Sequence, residues 1–126
     1  MKIKNIGLHI LRLSLSFVFL WFGFSQLSDV TTWTAYVPAF ATAFTDAGTL
    51  VLLNGTFEIF AGIFLAFGLF VRPLSIILGI HLLVISLSIG LTAVGVRDIG
   101  LALATISLGF MFSKENREFF VQNENI

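Results

Sequence analysis

The sequence predicts an all-α fold: a four-helix transmembrane bundle with an interfacial amphipathic segment between helices 1 and 2. Three observations predict it. Hydrophobic residues make up 57% of the 126 positions and charged residues only 11%, with a mean hydropathy of +1.01. A soluble domain is about a quarter charged, so this chain cannot coat a globule with solvated side chains. The apolar runs are continuous rather than alternating, which argues for helices over membrane strands. Four spans of ~20 residues use ~80 positions and leave only short connections, as the chain length requires. A soluble enzyme and a disordered chain are thereby excluded.

The charges punctuate the chain. From Ile6 to Leu27 the only strongly polar side chains are His9, Arg12 and Gln26, and from Gly48 to Val71 they are Asn54 and Glu58. Arg72-Pro73 follows, then an uncharged stretch to Val96, then Arg97-Asp98 and a last apolar run to Ser113. The expected helices are therefore 6–27, 49–71, 74–93 and 97–113, within one integral membrane domain that ends in a polar tail, 114–126. Pro73 suits the first turn of a helix, where its missing N–H costs nothing. Gly23-Phe24-Ser25 resembles a signal-peptide cleavage site, but Arg12 interrupts the apolar region, so the first segment is expected to stay as a span.

Between the first two spans, Val30, Trp33, Val37, Phe40 and Phe44 recur at helical spacing, with Pro38 as a break. Two roles fit this segment: an anchor lying on the membrane surface, or a lid over an opening between helices. Small pairs four apart, Gly62/Ala66, Ser75/Gly79 and Ser86/Gly90, are expected at close helix contacts.

The charge balance also limits function. Seven Lys/Arg balance seven Asp/Glu, so no basic surface exists to neutralise nucleic-acid phosphates. Cysteine is absent, which excludes disulfides, thiol relays and thiolate-held metal centres of the chain's own. His9 and His81 are the two histidines, too few with these carboxylates for a zinc or di-metal site. There is no Gly-rich phosphate loop and no convincing Ser-His-Asp set.

The polar residues inside hydrocarbon carry the interest, because each costs several kcal/mol unless partnered or used. Arg12, Glu58 and His81 stand out. At 1.5 Å per residue, Arg12 and His81 should lie roughly 9 and 10 Å from the inner ends of their helices, and Glu58 roughly 20 Å. Each has a plain structural role open to it: a snorkelling Arg12, a neutral hydrogen-bonded Glu58, a packed His81. Each also has a chemical one: Glu58 as proton acceptor, Arg12 as its electrostatic partner, His81 as hydrogen-bond donor. Asp98 is expected to cap the fourth helix and to reach Gln26 or Asn54.

Taken together, Arg12, Gly23, the run Glu58-x3-Gly62-x2-Leu65-x2-Gly68-x3-Arg72 and the string Arg97-Asp98-Ile99-Gly100-Leu101 resemble the DoxX family of small four-helix membrane proteins. Gln26 stands where such proteins often carry Lys. The resemblance implies a bundle in a membrane redox neighbourhood, as a subunit supporting a quinone-linked oxidoreductase through quinone binding or proton handling. Quinone is the one cofactor it suggests; other membrane or redox subunits, or further copies of the chain, are the partners. A non-catalytic accessory subunit of a larger assembly is the alternative, and a small transporter a third.

Orientation follows from the cations. Lys2, Lys4, Arg12, Arg72, Lys114 and Arg117 fall on one side and Arg97 alone on the other, which predicts cytoplasmic termini in a bacterial inner membrane. A periplasm-active reporter fused after Ile126 should be silent, and one inserted beside Asp46 should be active. A signal at the C-terminus reverses the topology.

Overall fold

The computed structural model describes residues 3–112. Helix α1 spans Ile3–Ser28; a single turn, α2, spans Val30–Trp33; α3 spans Ala47–Phe67, α4 Val71–Ile89 and α5 Ala93–Met111. Four of these, α1, α3, α4 and α5, are long and apolar enough to cross a membrane. Lys2, Lys114, Arg117 and the tail 114–126 lie outside the described residues.

The segment between α1 and α3 is helical in pieces rather than one amphipathic helix. After α2 come 3-10 turns over Thr34–Tyr36 and Ala39–Ala43. Pro38 separates them: Val37 is extended, as a residue before proline tends to be, and so is Pro38 itself. Asp29 caps α2, accepting from Thr32 Oγ1 at 2.6 Å. Asp46 starts α3, accepting the Thr49 N–H at 2.9 Å and the Thr49 hydroxyl at 2.8 Å. The Thr49 amide and hydroxyl hold its carboxyl below the usual carboxylate range.

Helix ends differ from the sequence expectation by a few residues, and the differences matter. α3 stops at Phe67, not near 71, because Gly68 turns left-handed at φ 75°. The Gly68 N–H then donates to Leu65 O and the Leu69 N–H to Phe64 O, the paired bonds of a Schellman motif. Phe70 follows with φ 52°, an uncommon conformation for a non-glycine residue, and its ring meets Phe64 edge-on at 6.2 Å. α4 therefore begins at Val71, with Arg72-Pro73 inside its first turn. α5 begins at Ala93, with Thr92 as its cap, accepting the Gly95 N–H at 3.0 Å.

This corrects two expectations. Asp98 is the sixth residue of α5 and does not cap it; only the first four N–H groups of a helix lack partners. Glu58 and His81 share a level: nine residues separate Glu58 from Phe67 and ten separate Val71 from His81, roughly 14 and 15 Å of rise.

The four long helices form two close pairs, α1 with α3 and α4 with α5, and contacts between the pairs are sparse. Glycine sets both close contacts. A Cβ on Gly62 would lie 2.8 Å from Leu20 Cγ, and one on Gly23 2.8 Å from Gly55 O. On the other pair, a Cβ on Gly79 would lie 2.4 Å from Ile106 Cγ1 and 2.9 Å from Ala102 O. Without a hydrophobic drive between helices in lipid, such backbone approach supplies the van der Waals contact that holds them. Leu8, Leu15, Phe19, Leu65, Leu78 and Leu108 fill the core between pairs, while Phe17, Leu87, Leu103 and Phe110 point outward. The buried hydroxyls of Ser86 and Thr105 donate to carbonyls one turn back, Leu82 O and Leu101 O.

Gly79→Ala should destabilise the bundle by about 1–3 kcal/mol through overpacking, since a backbone oxygen cannot yield as a side chain can. Gly100→Ala is the matched control, because nothing lies within 4 Å of its Cβ position. Thermal melting of the two variants in detergent should separate them; equal melting temperatures contradict the close-packed α4–α5 contact.

Candidate functional site

Four helices bring polar side chains to one place in the half of the bundle on the side of the α1–α3 connection. α1 contributes Gln26, α3 contributes Asn54 and Glu58 one turn apart, α4 contributes His81 and α5 contributes Asp98. Gln26 Nε2 donates to Glu58 Oε2 at 3.0 Å, and Asn54 Nδ2 donates to Glu58 Oε1 at 3.1 Å. Asn54 Nδ2 also donates to Gln26 Oε1 at 2.8 Å, closing a ring of three side chains. His81 Nε2 is hydrogen-bonded to Asn54 Oδ1. Glu58 is 4% exposed and Gln26 5%. A carboxyl group so buried in hydrocarbon needs donors on its oxygens, and each oxygen has one.

These groups form the floor of a cavity of about 430 Å³, within the range of small-molecule sites. Its walls are apolar: Phe19 and Phe22 from α1, Val51 from α3, Ile85 and Ile89 from α4, and Val94 from α5. It lies at the seam where the two helix pairs touch only sparsely. The connecting segment supplies its roof through Trp33, Tyr36, Val37, Pro38 and Phe40. Of the two roles open to that segment, covering an opening between helices is the one this placement fits. The roof is fastened to α1, with Trp33 Nε1 donating to Ser25 Oγ at 3.2 Å and the Trp33 ring edge-on to Phe22 at 5.6 Å. At the rim Arg97 stacks over the Phe22 ring at 5.8 Å and donates from Nε to Asp98 Oδ1 at 3.1 Å. That pair is half-exposed on the arginine side, so its contribution to stability is small.

Of the three side chains singled out by sequence, Glu58 and His81 line this cavity and Arg12 does not. The expected Arg12–Glu58 pairing is absent. Arg12 Nη1 donates to Leu65 O and Ala66 O at 2.6 Å each, and Nε to His9 Nδ1 at 3.4 Å. It is 6% exposed, so it does not snorkel either. The Schellman motif leaves the Ala66 carbonyl without a main-chain partner, and a guanidinium fits it in hydrogen bonding and in charge, since the C-terminal end of a helix is its negative end. Arg12 is thus a cap supplied by a neighbouring helix. The hub that sequence reasoning underrated is Asn54, which touches Gln26, Glu58 and His81 together. Its spacing of four from Glu58 on one helix face is the signal that identifies it.

What the arrangement can do chemically follows from its parts. It presents a carboxyl group and hydrogen-bonding amides at one end of an apolar cavity. No cluster of three His, Cys, Asp or Glu suited to a metal ion occurs among the described residues.

The family model described as DoxX matches residues 7–91, which include Gln26, Asn54, Glu58 and His81 but stop short of Arg97-Asp98. No curated protein and no solved structure matches the chain.

Arg12→Met should destabilise the bundle by about 1–3 kcal/mol, because it leaves the part-buried Ala66 carbonyl unpaired, and should leave the cavity intact. A melting temperature equal to that of the native chain would show that the cap contributes nothing.

Proposed function

The chain belongs to the DoxX family, and on that premise we propose that it is a membrane subunit that binds a quinol-type ligand for a quinone-linked oxidoreductase, with Glu58 accepting a proton. The observation that carries this reading is the cavity itself, apolar in its walls and polar at one buried end. An aromatic ring with a short lipophilic tail matches the walls, and a ring hydroxyl matches the floor.

The step assigned to this chain is a proton transfer. The ligand O–H bond breaks, its electron pair stays on the ligand oxygen, and a new O–H bond forms on a Glu58 carboxylate oxygen. Gln26 and Asn54 hold that carboxylate in place, one on each oxygen. His81 steadies Asn54 and so acts at one remove. The electrons leave through a partner subunit with its own redox centre, since this chain has no thiolate to hold one. The partner, the bacterial inner membrane and the cytoplasmic termini belong to the same proposal.

One observation favours a second reading. Gln26, Asn54, Glu58 and His81 satisfy one another, as they would in an accessory subunit whose polar residues only fix helix order. Glu58→Gln separates the two. It keeps the shape, exchanges one acceptor oxygen for an N–H₂, and cannot take up the proton. At matched abundance in membranes, quinone-linked activity should fall by about a hundredfold or more. Native activity in the variant removes the proton role and leaves the accessory reading in front.

A further inference from the structure

We propose that the cavity selects the reduced, hydroxyl-bearing form of an aromatic ligand over its oxidised, carbonyl-bearing form, an inference that rests on the ligand class proposed above. The argument is an inventory of donors and acceptors at the floor. Asn54 has two N–H bonds, and both are committed, to Gln26 Oε1 and to Glu58 Oε1. Its carbonyl faces His81 Nε2, which therefore spends its N–H inside the network. Gln26 has two N–H bonds, of which one is committed to Glu58 Oε2.

The amide orientations are fixed rather than interchangeable. Turning the Asn54 amide over would set its oxygen against Gln26 Oε1 and the Glu58 carboxylate oxygen Oε1, so that two of its contacts became repulsive; the orientation that avoids this makes His81 Nε2 the donor. Within the ring of Gln26, Asn54, Glu58 and His81 the donors are thus consumed by the side chains themselves, and one Gln26 N–H remains; the other N–H and O–H groups of the lining belong to Arg97, Tyr36 and the two tryptophans. Acceptor capacity is left over instead. Each carboxylate oxygen carries two lone pairs, and each Glu58 oxygen receives one amide N–H. Asp98 adds a second carboxylate to the lining, of which Oδ1 is held by Arg97.

A floor with surplus acceptors and one spare donor satisfies a hydroxyl in several ways and offers a carbonyl a single N–H, with the carboxylate lone pairs left unmet. Excluding a hydrogen-bond donor from such a site leaves buried acceptors unmet, which is the strong form of chemical discrimination. The methyl ether of the same ring fills the same volume with no donor, so it distinguishes hydrogen bonding from shape.

The chain carries its own reporter: it has two tryptophans, Trp21 and Trp33, and both line the cavity. The full chain in lipid nanodiscs is titrated with a decyl-chain benzoquinol, the matching benzoquinone and the dimethyl ether of the quinol. Half-saturation is read from tryptophan fluorescence as a mole fraction in the bilayer; quenching amplitudes are not compared, because a quinone ring quenches by itself. The quinol should bind roughly ten- to a hundredfold more tightly than either analogue, as a hydrogen bond to a charged group implies. In Glu58→Gln that preference should shrink to about threefold or less, since the amide puts an N–H where an acceptor stood. Equal or tighter binding of the quinone or the ether overturns the inference while the ligand class stands. A full preference retained in Glu58→Gln also overturns it. Absence of saturable binding by all three compounds overturns this inference and the functional proposal together.

Discussion

Glu58 is a carboxyl group 4% exposed in the middle of a membrane-spanning helix, and the half of the bundle on the side of the α1–α3 connection is arranged around keeping it solvated by protein. Hydrocarbon cannot do it, and an unmet charge or dipole there costs several kcal/mol. One donor comes from α1 through Gln26 and one from the same helix through Asn54. Asn54 is in turn held by α4 through His81. The network thus ties the α1–α3 pair to α4, where apolar packing between the pairs is thinnest. The cavity is a consequence of the same geometry: helices held apart by side-chain amides and an imidazole cannot also close over small residues.

The half of the bundle at the α3–α4 turn solves a different problem by a different device. There the chain reverses between α3 and α4 in three residues, Gly68 to Phe70, and leaves carbonyls at the end of α3. Arg12 reaches across from α1 to take them. The intramembrane cation and the intramembrane carboxylate therefore serve separate ends of the bundle, which leaves Glu58 without a cationic partner among its hydrogen bonds. An acidic group held by neutral amides can gain and lose a proton without breaking an ion pair. This makes proton acceptance a natural use for it.

Much of this was legible in the sequence. The all-α four-span bundle follows from composition and continuous apolar runs, and the break at Pro38 from its missing N–H and its effect on Val37. The importance of Glu58 and His81 followed from the cost of placing them in lipid. Their contact set did not. Seven residues of error at the α3–α4 turn, four at the end of α3 and three at the start of α4, moved Glu58 and His81 out of register by about two turns. The expected pairing of Arg12 with Glu58 came instead from chemistry, since a long cation and a buried carboxylate suggest one another even when the same depths set them about 10 Å apart. Backbone carbonyls carry no sequence signature, so Arg12 as a helix cap was invisible until the turn was placed. The cap at Thr92 was hidden in the same way by the charge pair at Arg97-Asp98. The roof of the cavity was half legible: Trp33 and Tyr36 marked an interfacial segment, but their fastening to Ser25 and Phe22 is tertiary.

The central claim is that an aromatic, lipophilic ligand occupies the seam between the two helix pairs rather than the lipid-facing surface. Photo-crosslinking tests it most directly. A benzoquinol carrying a photoreactive azide on its ring is irradiated with the protein in nanodiscs, and the modified residues are mapped by peptide mass spectrometry. Labels should concentrate on cavity residues such as Trp33, Tyr36, Ile85 and Val94, and should disappear when unlabelled quinol is in excess. Labels spread over Leu87, Leu103 and Phe110 on the outer faces, with no protection by unlabelled quinol, would contradict the account.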